Sequence, residues 1–314
     1  MRTSLRQILP LNLNLNLNLF LALLAVPAFA QISVVSTEIL PLASGTWLAE
    51  RFSPSGNELY VTTQGYAGIW EYRFLNRGFR QITAEEGAGY GFSVSADGRK
   101  IAYRTIVRER GLTVQQNLVV HDLRTDSAEI VLSGKSLSVP EFTASGVAYA
   151  SSGAAVEGVP PVPPGDVGLL GIENTKIILQ RNGARVVLDP LGNGSYIWPS
   201  LSPDRTRIVA YDMTVGTIIC DFEGRVLVRL GKRDAPVWTR DGRWIVYMAG
   251  VDDGHRLLSS DLYCVSVDGA MTVQLTATPG ILEIYPRCSP TEDRIVCSTP
   301  DGVVYSLSYR EEGR

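Results

Sequence analysis

LSPDRTRIVA, residues 201–210, reads as two strands folded about a tight turn. A hydroxyl residue, a proline and an aspartate bend the chain, and Ile208 and Val209 extend it again. The phrase returns as FSPSGNELYV (52–61), VSADGRKIAY (94–103), WTRDGRWIVY (238–247) and CSPTEDRIVC (288–297). Anchored on the hydroxyl residue before each turn, the copies align at Ser53, Ser95, Ser202, Thr239 and Ser289, with Pro199, Pro236 and Pro286 three residues earlier in the last three. That spacing picks out a sixth copy, PEFT at 140–143, followed by a shortened turn and GVAYAS. Successive anchors are then 42, 48, 59, 37 and 50 residues apart, and the first two copies carry Glu50 and Phe92 in place of proline.

One physical logic fits all six. The proline removes a ladder donor, which a strand facing a channel or loop tolerates. The hydroxyl and an Asp or Gly make the turn, and a β-branched or aromatic strand returns. A third strand follows each return, from GIWEYRF (68–74) to GVVYSLS (302–308), and a fourth follows in five copies. Four strands at a period of about 40–50 residues are the mark of a β-propeller blade. The sixth copy lacks its fourth strand, and ISVVSTEIL (32–40) at the other end supplies one. The expected fold is an all-β, six-bladed propeller of four-stranded antiparallel blades, closed by the N-terminal strand of the mature chain, which hides the edges.

The pattern P-x-apolar-S-P-D-G-x-x-[I/L]-[A/V]-[Y/F] resembles the repeat of TolB-like six-bladed propellers and covers nearly all of residues 31–314. The copies anchored on Ser202 and Thr239 match it best, and that anchored on Thr143 worst. TolB carries a further α/β domain before its propeller, whereas about sixteen residues separate residue 30 from the first blade here, so the chain reads as a stand-alone propeller. The resemblance implies an envelope role only loosely, because function sits in sites and not in folds.

The chain opens with Arg2 and Arg6, an apolar run LFLALLAV (19–26) and small residues at Ala28 and Ala30. This reads as a secretory leader over residues 1–30, with a retained membrane anchor as the alternative. The expected location is therefore periplasmic or secreted. Without the leader the formal charge moves from −3 to −5 and no basic stripe remains, which argues against nucleic acid and anionic membranes as partners. In an oxidising compartment Cys288 and Cys297, flanking one hairpin, are candidates for a cross-strand disulfide or else two small buried hydrophobes. Cys220 and Cys264 read as core.

Chemistry is sparse. The repeat also occurs in prolyl-oligopeptidase-like peptidases, yet there is no G-x-S-x-G elbow. Two histidines, His121 in a strand and His255 in a loop, are too few for a histidine-rich metal centre, so no metal or other cofactor is expected. Calcium on VDDGH (251–255) is the one exception weighed, against a plain Asp-Gly turn.

The turns of the repeat fall on one face of the ring. The opposite face collects the irregular segments 106–116, 151–174 with its stiff VPPVPP (159–164), 250–260 and 278–285. Tyr90, Trp198 and Tyr285 stand there at the entrance to the inner strands, either as partner anchors or packed between blades. Two residues before each anchor stand Arg51, Ser93, Glu141, Ser200, Val237 and Arg287, a mixed-charge ring if they face the channel. The expected function is a non-catalytic exported module binding a protein or peptide on this face. The alternatives are an exported hydrolase or lyase acting on a carbohydrate or lactone, and a purely structural envelope component.

Overall fold

The computed structural model describes residues 32–143, 146–149, 167–181 and 184–311, and these form strands, turns and loops without a helix. The expected leader and the proline-rich 159–164 lie outside the described residues. After β1 (Ile32–Ile39), blade one is β2 (Trp47–Phe52), β3 (Glu58–Thr63), β4 (Ile69–Arg73) and β5 (Gly78–Thr83). Blade two is β6 (Ser93–Val94), β7 (Lys100–Glu109), β8 (Leu112–Asp122) and β9 (Ser127–Gly134). Blade three holds β10 (Glu141–Thr143), β11 (Gly146–Ala148), β12 (Val167–Glu173), β13 (Lys176–Arg181) and β14 (Ala184–Leu188). Blade four is β15 (Tyr196–Leu201), β16 (Ile208–Asp212), β17 (Gly216–Cys220) and β18 (Val226–Gly231). Blade five is β19 (Asp234–Trp238), β20 (Trp244–Asp252), β21 (Leu257–Ser266) and β22 (Thr272–Gln274), and blade six begins with β23 (Ile284–Cys288), β24 (Arg294–Ser298) and β25 (Val304–Glu311). In five blades the strands are antiparallel neighbours in chain order, with β1 hydrogen-bonded to β25 as the fourth strand of blade six, whereas the described strands of blade three form two sheets, β10–β11 and β12–β13–β14. The molecule is a six-bladed all-β propeller closed by its N-terminal strand.

The core lies between blades. Trp244, Val246, Leu262 and Cys264 of blade five meet Ile295, Cys297, Leu307, Tyr309 and Ile32 of blade six. Comparable clusters join blades six and one, one and two, three and four, and four and five.

The anchor residue does the same work in five copies. Its N–H donates to the carbonyl five residues on, from Ser53 to Glu58, Ser95 to Lys100, Ser202 to Arg207, Thr239 to Trp244 and Ser289 to Arg294, at 2.9–3.0 Å. In the first four, its hydroxyl also accepts that residue's N–H at 2.9–3.2 Å. In three copies it donates onward to an aspartate in the turn, Asp97, Asp204 or Asp241, at 2.5–2.7 Å. A buried turn thereby leaves few polar groups unpaired.

Three expectations are corrected. Segments 106–116 and 250–260 are not irregular loops but the tips of long β7–β8 and β20–β21 hairpins. Arg110 and Gly111, at φ +48° and +81°, make the first tip a two-residue turn of type I′, a role more familiar for Asn-Gly. Within 151–174, residues 167–173 form β12, which pairs with β13 and packs beside β10, with Gly168 against Thr143 and Glu141. A bulge between Leu169 and Gly171 broke the alternation by which the sequence would have shown it. The third correction concerns the cysteines: all four are free thiols. The register sets Cys288 opposite Ile295, two residues short of Cys297, so the two cysteines are not directly opposed.

Two expected outcomes follow from this packing. Ile32 is 1% exposed in the closing strand, so Ile32→Ala should lower unfolding free energy by about 2–5 kcal/mol in urea denaturation. In blade four, burial alone would raise the carboxyls of Asp204 and Asp212, but hydrogen bonds outweigh it and hold both below the usual carboxylate range. Asp212, for instance, accepts the N–H groups of Val215, Thr214 and Ser195 at 2.8–2.9 Å. A lowered folded-state pKa stabilises above the unfolded value, near 4, and that stability is lost as pH falls through the folded value. The melting temperature should therefore fall below about pH 4, and Asp212→Asn should flatten that acid limb.

Candidate functional site

The six inner strands enclose a shaft, and the repeat dictates what faces it. Arg51, Glu141, Ser200, Val237 and Arg287, each two residues before an anchor, line one cavity of about 760 Å³. Trp198 stands at one end and the turn prolines Pro54, Pro203 and Pro290 at the other. Ser93 is the exception: it is buried, its hydroxyl accepts the Phe142 N–H at 3.0 Å, and Val94 lines the cavity in its stead.

The charges pair across the ring. Arg51 of blade one lies 3.9 Å from Glu141 of blade three. Arg287 of blade six donates to the Glu50 carbonyl at 2.7 Å and approaches the Glu50 carboxylate at 3.4 Å. Burial pushes the Glu50 carboxyl up, against the opposing pull of Arg287. With Arg205 and Arg240 also on its wall, the lining carries four arginines against Glu50 and Glu141.

A local backbone device positions the mouth. Trp198, Ala235 and Tyr285 all have left-handed backbone, φ +51°, +50° and +52°, and each precedes a proline of the repeat. The corresponding residue of blade two is Gly91, at φ +63°. In blades four, five and six the ladder register shifts across this point, between Ile197 and Ser200, Asp234 and Val237, and Ile284 and Arg287. The proline therefore sits in a bulge, where the ladder needs no N–H from it. A non-glycine residue in this conformation costs about 1–2 kcal/mol.

The bulge brings two of the three expected aromatic residues together. Trp198 and Tyr285 meet edge-on with ring centres 6.3 Å apart, and Tyr211 meets Trp198 at 5.6 Å. Tyr90 does not join them: it packs edge-on against Tyr66 at 5.1 Å, with the Arg104 guanidinium 5.5 Å from its ring centre. Sequence reasoning missed Tyr66. Burial raises its hydroxyl pKa, and the nearby Glu50 carboxylate acts in the same direction. Tyr66 lies in the β3–β4 turn at φ +56°, just before Ala67-Gly68.

The other candidates are engaged elsewhere. His121 is buried with its Nε2 3.1 Å from Asp126. Asp252 and Asp253 accept N–H groups of their own turn, from Gly254, His255 and Arg256, at 2.9–3.0 Å. Among the described residues no group of three His, Cys, Asp or Glu is placed to hold a metal ion.

No protein-family profile and no curated protein matches the sequence. Solved structures share the fold. An oligogalacturonate lyase in complex with manganese is 15% identical, with a TM-score of 0.50 over 82% of this chain and 76% of its own. The oligogalacturonate lyase of Vibrio parahaemolyticus is 14% identical, with a TM-score of 0.48 over 82% of this chain and 76% of that one. The β-propeller domain of Myceliophteria thermophila Cps50 (Swd1) is 11% identical, with a TM-score of 0.49 over 88% of this chain and 99% of that one. At such identities the likeness is one of fold.

The strain at the mouth is measurable. Tyr285→Ala keeps a Cβ on left-handed backbone, whereas Tyr285→Gly does not. The glycine variant should be the more stable by about 1 kcal/mol in urea denaturation, the reverse of the usual order within a strand.

Proposed function

We propose that this chain is an exported, non-catalytic binding propeller, similar to the propeller half of TolB, that receives a protein or peptide segment at the mouth of the shaft. The observation that carries the reading is Trp198 beside Tyr285 on strained backbone at the entrance of a mixed-charge cavity. Strain of this kind persists where the surrounding structure fixes it, and it clusters at ligand sites. The rings offer large contact area with few rotatable bonds. Strands fixed on both sides present them with little ordering left to lose on binding. Arg51 and Arg287 add donors for carbonyls or acidic side chains of the incoming segment. Export rests on the basic, then apolar, then small-residue leader pattern of residues 1–30.

The second reading, a hydrolase or lyase acting on a carbohydrate or lactone, draws on the two shaft carboxylates, Glu50 and Glu141. Both lie against an arginine, and the described lining contains no histidine. Binding is the better fit to this chemistry.

The test is capture by the immobilised protein from envelope and secreted fractions, in parallel with a Tyr90→Ala, Trp198→Ala, Tyr285→Ala variant of matched circular dichroism. A protein held by the wild type and reduced at least about tenfold on the variant is the expected result, from losing two or more anchors. Equal retention on both would move the site off this face. Nothing retained by either would remove the reading, and assays on uronates and lactones would follow.

A further inference from the structure

A second cavity of about 470 Å³ opens between blades one and two on the turn face, away from Trp198 and Tyr285. Its wall carries Arg73, Arg80, Arg99 and Arg124 against Glu58, Glu71 and Asp97. Glu71 is only 2% exposed and organises the site. Its carboxylate receives Arg80 through Nε and Nη2 at 3.1 and 3.0 Å, and Arg73 through Nε at 2.5 Å. The two-bond fork fixes the Arg80 guanidinium plane, and the single Nε bond tethers Arg73 beside it.

The remaining acids are largely engaged within their own turns. Glu58 accepts the Ser55 hydroxyl at 3.1 Å. Asp97 accepts the Ser95 hydroxyl at 2.6 Å and the Arg99 N–H at 3.0 Å, and these bonds hold its carboxyl below the usual range. The Arg99 guanidinium is a loose 3.9 Å from Asp97, with both side chains exposed. Asp126, also close enough to act on Arg80, bonds to His121. The arginines are not spent in the same way. Glu71 takes only the Nε of Arg73 and leaves the Nη1 of Arg80 over. Each guanidinium has five N–H donors, so the cavity wall carries more donors than acceptors.

We propose that this cavity is a binding site for an oxyanion, a carboxylate or phosphate group, gripped by Arg73, Arg80, Arg99 and Arg124 on the face opposite the shaft mouth. It is independent of the reading of the shaft mouth and stands or falls separately. Arg80 and Arg73, braced by Glu71, form the floor, and Arg99 and Arg124 close over the anion from the turns of blade two. The four forks favour a group that accepts two N–H bonds at once over a halide.

The experiment is calorimetric titration of the purified protein with inorganic phosphate and, separately, with glutarate, each at ionic strength matched by sodium chloride. The variant is Arg99→Gln with Arg124→Gln, which removes two donors without touching the Glu71 fork. If it unfolds, Arg124→Gln alone takes its place, since that guanidinium lies outside every ion pair described here. Saturable binding to the wild type that weakens at least about tenfold in the variant supports the site, and the anion bound more tightly identifies its source as phosphate or carboxylate. No saturable heat with either anion, or equal affinity in wild type and variant, overturns it.

Discussion

The pairing of β1 with β25, from Ile32 opposite Glu311 to Ile39 opposite Tyr305, is the contact on which the ring depends. Without it blade six would stop at three strands and present an open edge. The closing strand also brings Ile32 into the cluster between blades five and six. The far end of its partner adds a polar lock, because Glu311 accepts the Trp244 indole N–H and the Arg243 guanidinium, both at 3.0 Å. The two strands are joined by nearly the whole chain, yet closure entropy grows only logarithmically with loop length, about 0.6 kcal/mol per doubling. Burial of the Ile32 side chain at 1% exposure, worth about 2 kcal/mol, already outweighs a cost of that size. Closing the ring also makes each blade both support and supported, which lets a blade carry strain at its inner end.

The two ends of each inner strand divide the labour. At the turn end the anchor hydroxyl and a following aspartate satisfy the backbone of the hairpin, and the serine or threonine is almost fully buried in four copies. At the mouth end the strand breaks register over the proline and holds the preceding residue in left-handed backbone. The first arrangement is stabilising and hardly varies. The second is unfavourable for any residue but glycine, occurs in four blades and differs in each: glycine at 91, tryptophan at 198, alanine at 235 and tyrosine at 285. A position that costs backbone energy while changing its side chain is where a scaffold can acquire specificity without disturbing its core.

The repeat was legible because its turn is a hydrogen-bonding device that needs a hydroxyl at a fixed place, so the same letters recur. The shaft residues were legible for a similar reason, since period-two alternation from a known anchor fixes which side chains turn inward. Ser93 broke that rule because its hydroxyl is drawn to the Phe142 N–H of blade three, a partner no local pattern reveals. The strand β12 and the long hairpins of blades two and five were missed where bulges or unusual turn pairs such as Arg110-Gly111 and Asn174-Thr175 interrupted the alternation. The pairing of Tyr90 with Tyr66 and not Trp198 was not legible, because it depends on how neighbouring blades sit against each other. The oxyanion cavity was invisible for that same reason: Arg80 and Arg124 belong to different blades and share no motif.

Among the described residues the seam between blades two and three is built differently from the other five. Among the described residues no apolar cluster spans it; the nearest, Ala148, Leu170 and Ile178, belongs to blade three alone. Directional bonds cross or brace it instead: the Phe142 N–H to the Ser93 hydroxyl at 3.0 Å, the Arg104 guanidinium to the Leu137 carbonyl at 2.5 Å, and the Leu137 N–H to Gln116 at 2.7 Å. Burial lowers the pKa of Arg104, and its Nε is buried without a partner. A polar seam is less forgiving than an apolar one, because a small displacement leaves buried donors unpaired at about 1–3 kcal/mol each. The Arg104 guanidinium also lies 5.5 Å from the ring centre of Tyr90. Tyr90 and Tyr66 thus lean on a joint that is polar among the described residues, whereas Trp198 and Tyr285 stand on blades joined by apolar clusters. A segment entering the shaft would meet one wall fixed by close packing and another fixed by a few directional bonds.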